Sequence, residues 1–411
     1  METVLNCCAG LDVHKESVEA CVRRQEANRP LHKQTRHWGT MTGDLRAMAD
    51  WMAAQGVTHV AMESTGVYWK PIYNILESRF TVLLVNARHL KQVPGRKTDI
   101  RDCEWIAQLL QHGLLKGSFI PPRPQRELRD LTRHRTQLVE EKGRTINRLQ
   151  KVLEDANIKL AVVASDILGA SGRAMLQALL QGEEDPLRLA ALAQRSLRGK
   201  IPELEKALAG HVTEHHRFML QLLWKQLAQQ EELLAELDRR IEEQTRPFAE
   251  QIERLDDVPG VDRRVTEVLL SEVGADLKPF PTDGNLASWS GICPGNDVSA
   301  GKRRRRGITP GNHWLKRALV QAAWAASHTK NTYLAALYRR LAGRRGKKRA
   351  LVAVAHSILV IYYHMLKNGT TYSDLGGDFF DRLQAQGLTR YYVRRLQALG
   401  HKVTLESAAA A

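Results

Sequence analysis

Two kinds of hydrophobic pattern divide this chain. In the first 115 residues "CCAGLDVHKES" (7–17) begins as an apolar strand, and two short, nearly unbroken apolar runs, "VTHVAMES" (57–64) and "FTVLLVNA" (80–87), follow, separated by stretches of helical character. Runs of this length predict buried central strands, and "SVEACVRR" (17–24) predicts a hairpin partner for the first strand. Strands alternating with helices predict an α/β fold. "TDIRDCEWIAQLLQHGLL" (98–115) then predicts a helix capped by Thr98, with Cys103, Ile106, Ala107 and Leu110 as its apolar stripe.

From about 124 to 250 the period becomes helical throughout. Leu220, Leu223, Leu227, Leu234, Leu237 and Ile241 recur three and four apart, with Gln230 in the one gap. That seam predicts a coiled coil, and the alternative is one core helix of a bundle. Two short helices around "VPGV" (258–261) have the form of a helix-hairpin-helix, whose turn can present N–H groups to a phosphate, or of a plain helical hairpin. "NHWLKRALVQAAWAASHT" (312–329) predicts another amphipathic helix, and "AGRRGKKRA" (342–350) a basic loop. "ALVAVAHSILVIYYHML" (350–366) is slightly short for a membrane span and carries His356 in its middle, so it predicts a buried core helix. The divisions that follow are an α/β domain over 1–120, an all-α coiled-coil region over 121–250, a mainly α domain over 251–375 and a terminal segment over 376–411. The helical stretch 154–216 fits no motif.

Charge adds a partner class. The 411 residues carry a formal charge of +16 and a pI near 9.8, which predicts a polyanion, most often nucleic acid. The five cysteines include no C-x-x-C pair, which argues against a disulfide scaffold and a structural zinc site and suits a reducing cytoplasm. The N-terminus lacks the basic region and apolar core of a signal peptide, and no membrane association is expected.

Four acids stand where an α/β fold collects function. Asp12 ends the first apolar strand, Glu63 ends the second, and Asp99 and Asp102 open a helix three residues apart. Converging carboxylates repel unless a hard cation such as Mg²⁺ neutralises them, and two such ions can clamp both oxygens of a phosphodiester displacement. Each acid also has a plain reading, as a strand end, a helix-dipole partner or a solvated loop residue. Ser299 lies in "NDVSAGKRRRRG", followed by Lys302, Arg303, Arg304, Arg305 and Arg306. On residues alone it is a loop serine beside a solvated basic run. Arg126, Arg129 and Arg133, with Arg135, Arg144 and Arg148, line one helix and predict phosphate contacts. Tyr68 and Trp69 suit core packing better than base stacking. His211, His215 and His216 suit a protein surface better than a metal.

Together these motifs carry a resemblance. Asp12 in "GLDVHKES", Glu63 in "AMESTGVYW", and Asp99 with Asp102 in "GRKTDIRDC" are similar to the D-E-D-D set of the RuvC-like transposases of bacterial insertion sequences. This is the insertion-sequence one-ten family, also called the bridge-RNA-guided recombinases. "LASWSGICPGNDVSAGKRRRRGITPGNHWLKRAL" resembles the same family's transposase domain. The resemblance implies an RNase H-like N-terminal domain holding two Mg²⁺ on the four acids. It implies Ser299 as a nucleophile that forms a phosphoserine link, with Lys302 to Arg306 on the scissile phosphate. It implies a structured bridge RNA that pairs with target and donor DNA. The assembly implied is a homo-oligomer, a dimer that becomes a tetramer in the synaptic complex, in the bacterial cytoplasm at the nucleoid. The sequence reads Ser-Ala-Gly where many relatives read Ser-Gly, which leaves Ser288 and Ser290 as weaker candidates. The alternative function is a Mg²⁺-dependent junction endonuclease that uses water, with Ser299 a phosphate contact.

Overall fold

The computed structural model describes residues 3–25, 30–64, 66–86, 90, 101–294, 297–299, 302–304 and 307–405, the six in the short strands 297–299 and 302–304 by backbone alone. The chain forms two compact units, Met1–Pro121 and Pro122–Ala411.

The first unit is a five-stranded sheet between two helical layers. Its elements are β1 (Cys7–Val13), β2 (Ser17–Arg24), β3 (His32–Gly39), α1 (Thr42–Ala54), β4 (His59–Glu63), α2 (Trp69–Leu76), β5 (Thr81–Val85) and α3 (Asp102–Gln111). The strand order is β3-β2-β1-β4-β5; β1, β2 and β3 pair antiparallel, while β1, β4 and β5 run parallel. Side chains alternate along each strand. Ala9, Leu11 and Val13 of β1, with Val60 and Met62 of β4, bury against Leu45, Met48 and Met52 of α1 and Ile72 and Leu76 of α2. Cys8, Ala61 and Val85 point to the other face, against Trp105, Ile106 and Leu109 of α3.

The expected hairpin of β1 and β2 forms, and so does the stripe on α3: Cys103, Ile106, Ala107 and Leu110 are all buried. Two details differ from the pattern. "TVLLV" is an edge strand, and the other edge, β3, is "HKQTRHWG", which carries no apolar run. An edge strand needs only one pairing partner, and β3, unlike the partly buried "TVLLV", has no fully buried position, so hydrophobicity does not mark β3. The start of α3 also differs. Arg101 is its N-cap and gives no side-chain cap bond, and Thr98 lies outside the described residues.

Among its described residues the second unit is helical apart from one small hairpin. α4 (Arg123–Asp155) and α9 (Glu214–Thr245) run antiparallel as a long pair, with Lys142–Glu231 at 2.8 Å and Arg135–Asp238 at 2.5 Å across it. Leu220, Leu223, Leu227, Gln230 and Ile241 are buried on α9, and Leu234 and Leu237 are half-buried, so the heptad stripe serves a helix pair within the chain. Between them lie α5 (Leu160–Val163), α6 (Ala170–Leu180), α7 (Pro186–Ala191) and α8 (Ile201–Leu208). These short helices do not lengthen the pair. They wrap its far end around their own core of Leu160, Ile167, Leu176, Leu189 and Leu204 with Leu149, Leu153 and Leu220.

At the other end stand α10 (Ala249–Asp256), α11 (Arg263–Glu272), α12 (Asp283–Ser290), strands β6 (Asp297–Ser299) and β7 (Lys302–Arg304), α13 (His313–His328), α14 (Tyr333–Arg345) and α15 (Lys347–Asn368). Beyond them, α16 (Phe379–Leu383) and α17 (Ala385–Ala398) complete the chain. α15 is apolar and long enough to cross a membrane. Here it is a core helix, with Val354, Ala355, Ile358 and Leu359 buried. Its buried Tyr362 hydroxyl donates to the Gly274 carbonyl at 2.9 Å, and Tyr363 donates to Phe280 and Pro281.

α4 and α11 meet through charge. Glu272, fully buried, accepts two hydrogen bonds from Arg133, at 2.6 and 2.8 Å, and lies 3.0 Å from Arg129 Nε. Arg129 also donates to the Ser271 and Glu272 carbonyls, and Thr132 bonds the Ser271 hydroxyl at 2.9 Å. Burial pulls the Arg129 pKa down, with Glu272 opposing that shift.

Two stability predictions follow from these contacts. A Cβ on Gly10 would stand 2.3 Å from Ala107 N and 2.3 Å from the Cys103 carbonyl, so Gly10→Val must push α3 off the sheet. It should cost about 3 kcal/mol or more in urea unfolding, as overpacked cores do. Glu272→Ala strands two guanidiniums, one of them well buried, and should cost about 3–5 kcal/mol by the same measurement; a loss no larger than that of a surface Glu→Ala control would refute the clamp.

Candidate functional site

The first group of candidates is carboxylate. β1 and β4 run parallel with Leu11 registered against Met62, so Asp12 and Glu63 come next on adjacent strands. Alternation places both on the face that carries Cys8, Gly10 and Ala61, the face covered by α3. α3 begins with Asp102, and its next residue, Cys103, packs on Cys21 beneath it. Three of the four expected acids are thus carried to one end of the sheet. Asp99 lies outside the described residues. Among the described residues no three His, Cys, Asp or Glu side chains are grouped closely enough to hold a metal. The donor chemistry suits Mg²⁺, since the candidates offer oxygen alone. Burial pushes the neighbouring Cys103 thiol up to about 12, with Cys21 and the charges of Glu19 and Glu104 adding to the rise.

Two neighbours were not apparent from the sequence. His14 Nε2 lies 3.2 Å from Asp12 Oδ2. Glu19 on β2 is registered directly against Asp12, on the same face. The signal was the hairpin itself, because pairing "LDV" with "VEA" sets Glu19 opposite Asp12. A search confined to strand ends passes over it. Glu104, nearby, is bound by Lys33 at 2.7 Å.

The second candidate is the Ser299 segment. It is a hairpin: Asp297 registers with Arg304, Val298 with Arg303, and Ser299 with Lys302 as the innermost pair. Arg305 and Arg306 lie outside the described residues. The basic run therefore opens as a strand and not as a loop. The hairpin springs from a narrow neck. Pro294 and Ile308 form a bridge, and Thr309 N donates to Cys293 O at 3.2 Å. Below them Gly291, at φ 73°, closes on Gly311. A Cβ on Gly311 would meet Gly291 N at 2.3 Å, so the two backbones touch and no side chain fits between them. Ser290 is fully buried and its hydroxyl donates to Ala287 O at 2.9 Å, a structural task; Ser288 is exposed on α12.

The third group is the arginines of α4, and three of them are engaged by acids of their own unit. Arg129 and Arg133 turn inward to Glu272, and Arg135 to Asp238, which Arg264 also binds at 2.8 Å. Guanidiniums engaged this way are not poised for phosphate. Arg126 is half-buried and Arg144 sits 3.8 Å from Glu141, while Arg148 is exposed. A cavity of about 210 Å³ lies beside them, lined by Arg133, Arg264, Trp314 and Arg317, whose arginines are likewise paired with acids. The helical hairpin at 258–261 forms, but Gly260 lies against the backbone of α13, where a Cβ would meet Ala322 O at 2.3 Å. The first turn of α11 is capped by the Asp262 carboxylate on Val265 N. Trp69 packs partly into the first unit's core, and Tyr68 is exposed. His216 closes the capping box of α9 with Thr213 and bonds Asp155 at 2.9 Å.

Comparison with known proteins identifies both regions. Residues 9–158 match a family profile described as "Transposase", that of the DEDD transposases of IS110 elements. Residues 252–339 match "Transposase IS116/IS110/IS902 family". The chain is similar to the "Insertion element IS110 uncharacterized 43.6 kDa protein" of Streptomyces coelicolor, at 34% identity over 122 residues. That match spans 29% of this chain and 29% of the relative, under a third of either length. Carboxylates on adjacent parallel strands and a serine hairpin on a pinched neck occupy the two matched segments, and the chain belongs to the IS110 family of transposases.

Proposed function

We propose that this protein is a recombinase that excises and inserts its element by cleaving and rejoining DNA strands. The observation that carries the reading is the register setting Asp12 beside Glu63, with the helix that begins at Asp102 packed on the same face. The strand order, three antiparallel strands continued by two parallel ones, supports an RNase H-like identity for the first unit. Asp12, Glu63, Asp99 and Asp102 would hold two Mg²⁺ there. When bound, the ions supply charge neutralisation around the phosphodiester.

Ser299 is the proposed nucleophile. Its hydroxyl oxygen bonds to phosphorus as the bond from phosphorus to a deoxyribose oxygen breaks. The serine proton passes to a base, and the departing oxygen takes up a proton. The phosphoserine diester keeps the bond energy, and the reverse attack by a new strand end rejoins DNA and frees Ser299. Lys302, Arg303, Arg304, Arg305 and Arg306 begin three positions after the serine and would oppose the charge that builds on the phosphate. The same reading assigns a bridge RNA from the element as guide to target and donor DNA, and a homo-oligomer, dimer or tetramer, as the working assembly. Of the α4 arginines proposed for phosphate contact, Arg126, Arg129 and Arg133, the last two also hold Glu272.

The test is a covalent protein–DNA adduct. The protein, expressed with its element's flanking sequence, is mixed with labelled target and donor DNA and Mg²⁺ and run on a denaturing gel. A protease-sensitive shifted band is expected, absent with Ser299→Ala, with Asp12→Ala and after EDTA. Cut strands with no shifted band, unchanged by Ser299→Ala, would mark a water-using nuclease instead.

A further inference from the structure

We propose that Asn312 is a positioning residue for the Ser299 hairpin, tying its neck to the buried Glu272 carboxylate. The proposal rests on the reading of Ser299 as nucleophile. Asn312 follows Gly311 and has two tasks. Its Oδ1 accepts from Trp314 N and Leu315 N, both at 3.1 Å, and so caps α13. Its Nδ2 donates to Glu272 Oε2 at 2.6 Å. Many residues perform the first task, since Ser, Thr and Asp cap as well as Asn. The second needs a donor in the same planar group, which a side-chain amide provides.

The anchor at the far end of that bond is rigid. Glu272 has no exposed surface and is gripped by Arg133 and Arg129 from α4. A buried ion pair is no better for stability than well-packed apolar residues, and its best-attested use is to fix one arrangement among several. What it fixes here is the base of a hairpin. Asn312 is bound to Glu272, Gly311 lies on Gly291, Thr309 N donates to Cys293 O, and Lys316 Nζ of α13 reaches Thr309 O at 3.3 Å. Both strands of the hairpin leave from this one point. A small rotation at the neck becomes a larger displacement at the tip, where Ser299 sits. The chain departs from the simplest design at this place, and the departure has a purpose when a nucleophile must be held in line.

The experiment uses the full-length protein carrying Asn312→Ser, with Asn312→Thr as a second capping residue to guard against a variant that fails to fold. Both keep the cap, and with a hydroxyl one bond shorter than the amide both withdraw the donor from Glu272. Four readouts are compared with wild type and Ser299→Ala: thermal melting, DNA affinity without Mg²⁺, the single-turnover rate of adduct formation, and amide exchange across 290–312. Affinity should be unchanged, and melting should fall by no more than the few degrees that one lost hydrogen bond to a charged group costs. The adduct rate should fall about 10- to 100-fold, the scale of an ångström-sized misplacement of a reacting group. The Thr309 amide should exchange faster while those of α13 do not. Wild-type rates in both capping variants, with Ser299→Ala inert, would overturn the proposal and leave the nucleophile reading intact. An adduct that persists in Ser299→Ala would overturn that reading and this proposal together.

Discussion

A carboxylate without solvent contact must be matched by cations, and around Glu272 that requirement organises one end of the second unit. Arg129 and Arg133 arrive from α4, Asn312 from the start of α13, and Glu272 itself ends α11. Three helices distant in sequence share one acceptor, and each bond has a direction as well as a strength. Apolar side chains could fill the same volume, but they would let the helices slide along one another. In the first unit the corresponding constraint is steric. Gly10 lets α3 approach until backbone touches backbone, and that approach brings Asp102 to the face shared by Asp12 and Glu63.

Much of the first unit was legible because its strands are buried and its acids stand at their ends. β1 and β4 read as apolar runs since both their faces are covered. β3 did not, because "HKQTRHWG" pairs along one edge only and is never fully buried. Glu19 was missed for a related reason. Its importance comes from registry with Asp12, and registry belongs to a pair of strands. The stripe on α9 was legible as a seam, but a seam does not name its partner. Here the partner is α4 of the same chain, met antiparallel through the Lys142–Glu231 and Arg135–Asp238 pairs.

The arginines show where sequence reading loses its grip. A helix rich in arginine looks the same whether it faces phosphate or a buried acid. Arg129, Arg133 and Arg135 have their acids in α9 and α11, more than a hundred positions along the chain. No local pattern around α4 reveals Glu272, which sits in the unremarkable "LLSEVG". Net charge is fixed by composition, while available charge is decided by folding.

That distinction locates the excess positive charge elsewhere. Arg344, Arg345, Lys347, Lys348 and Arg349, at the elbow between α14 and α15, are all exposed, and none is paired with an acid among the described residues. Three of them stand in the first turn of α15, which has no acidic residue there and no side-chain cap. Cations at a helix N-terminus oppose the helix dipole, at about 0.3–1 kcal/mol each at a surface. A helix selected for stability alone would place acids in that turn. Sequences break such local rules mainly where function requires it. In a protein of net charge +16, this elbow holds positive potential that the fold leaves uncompensated, whereas Arg129, Arg133 and Arg135 of α4 hold charge that the fold has already matched.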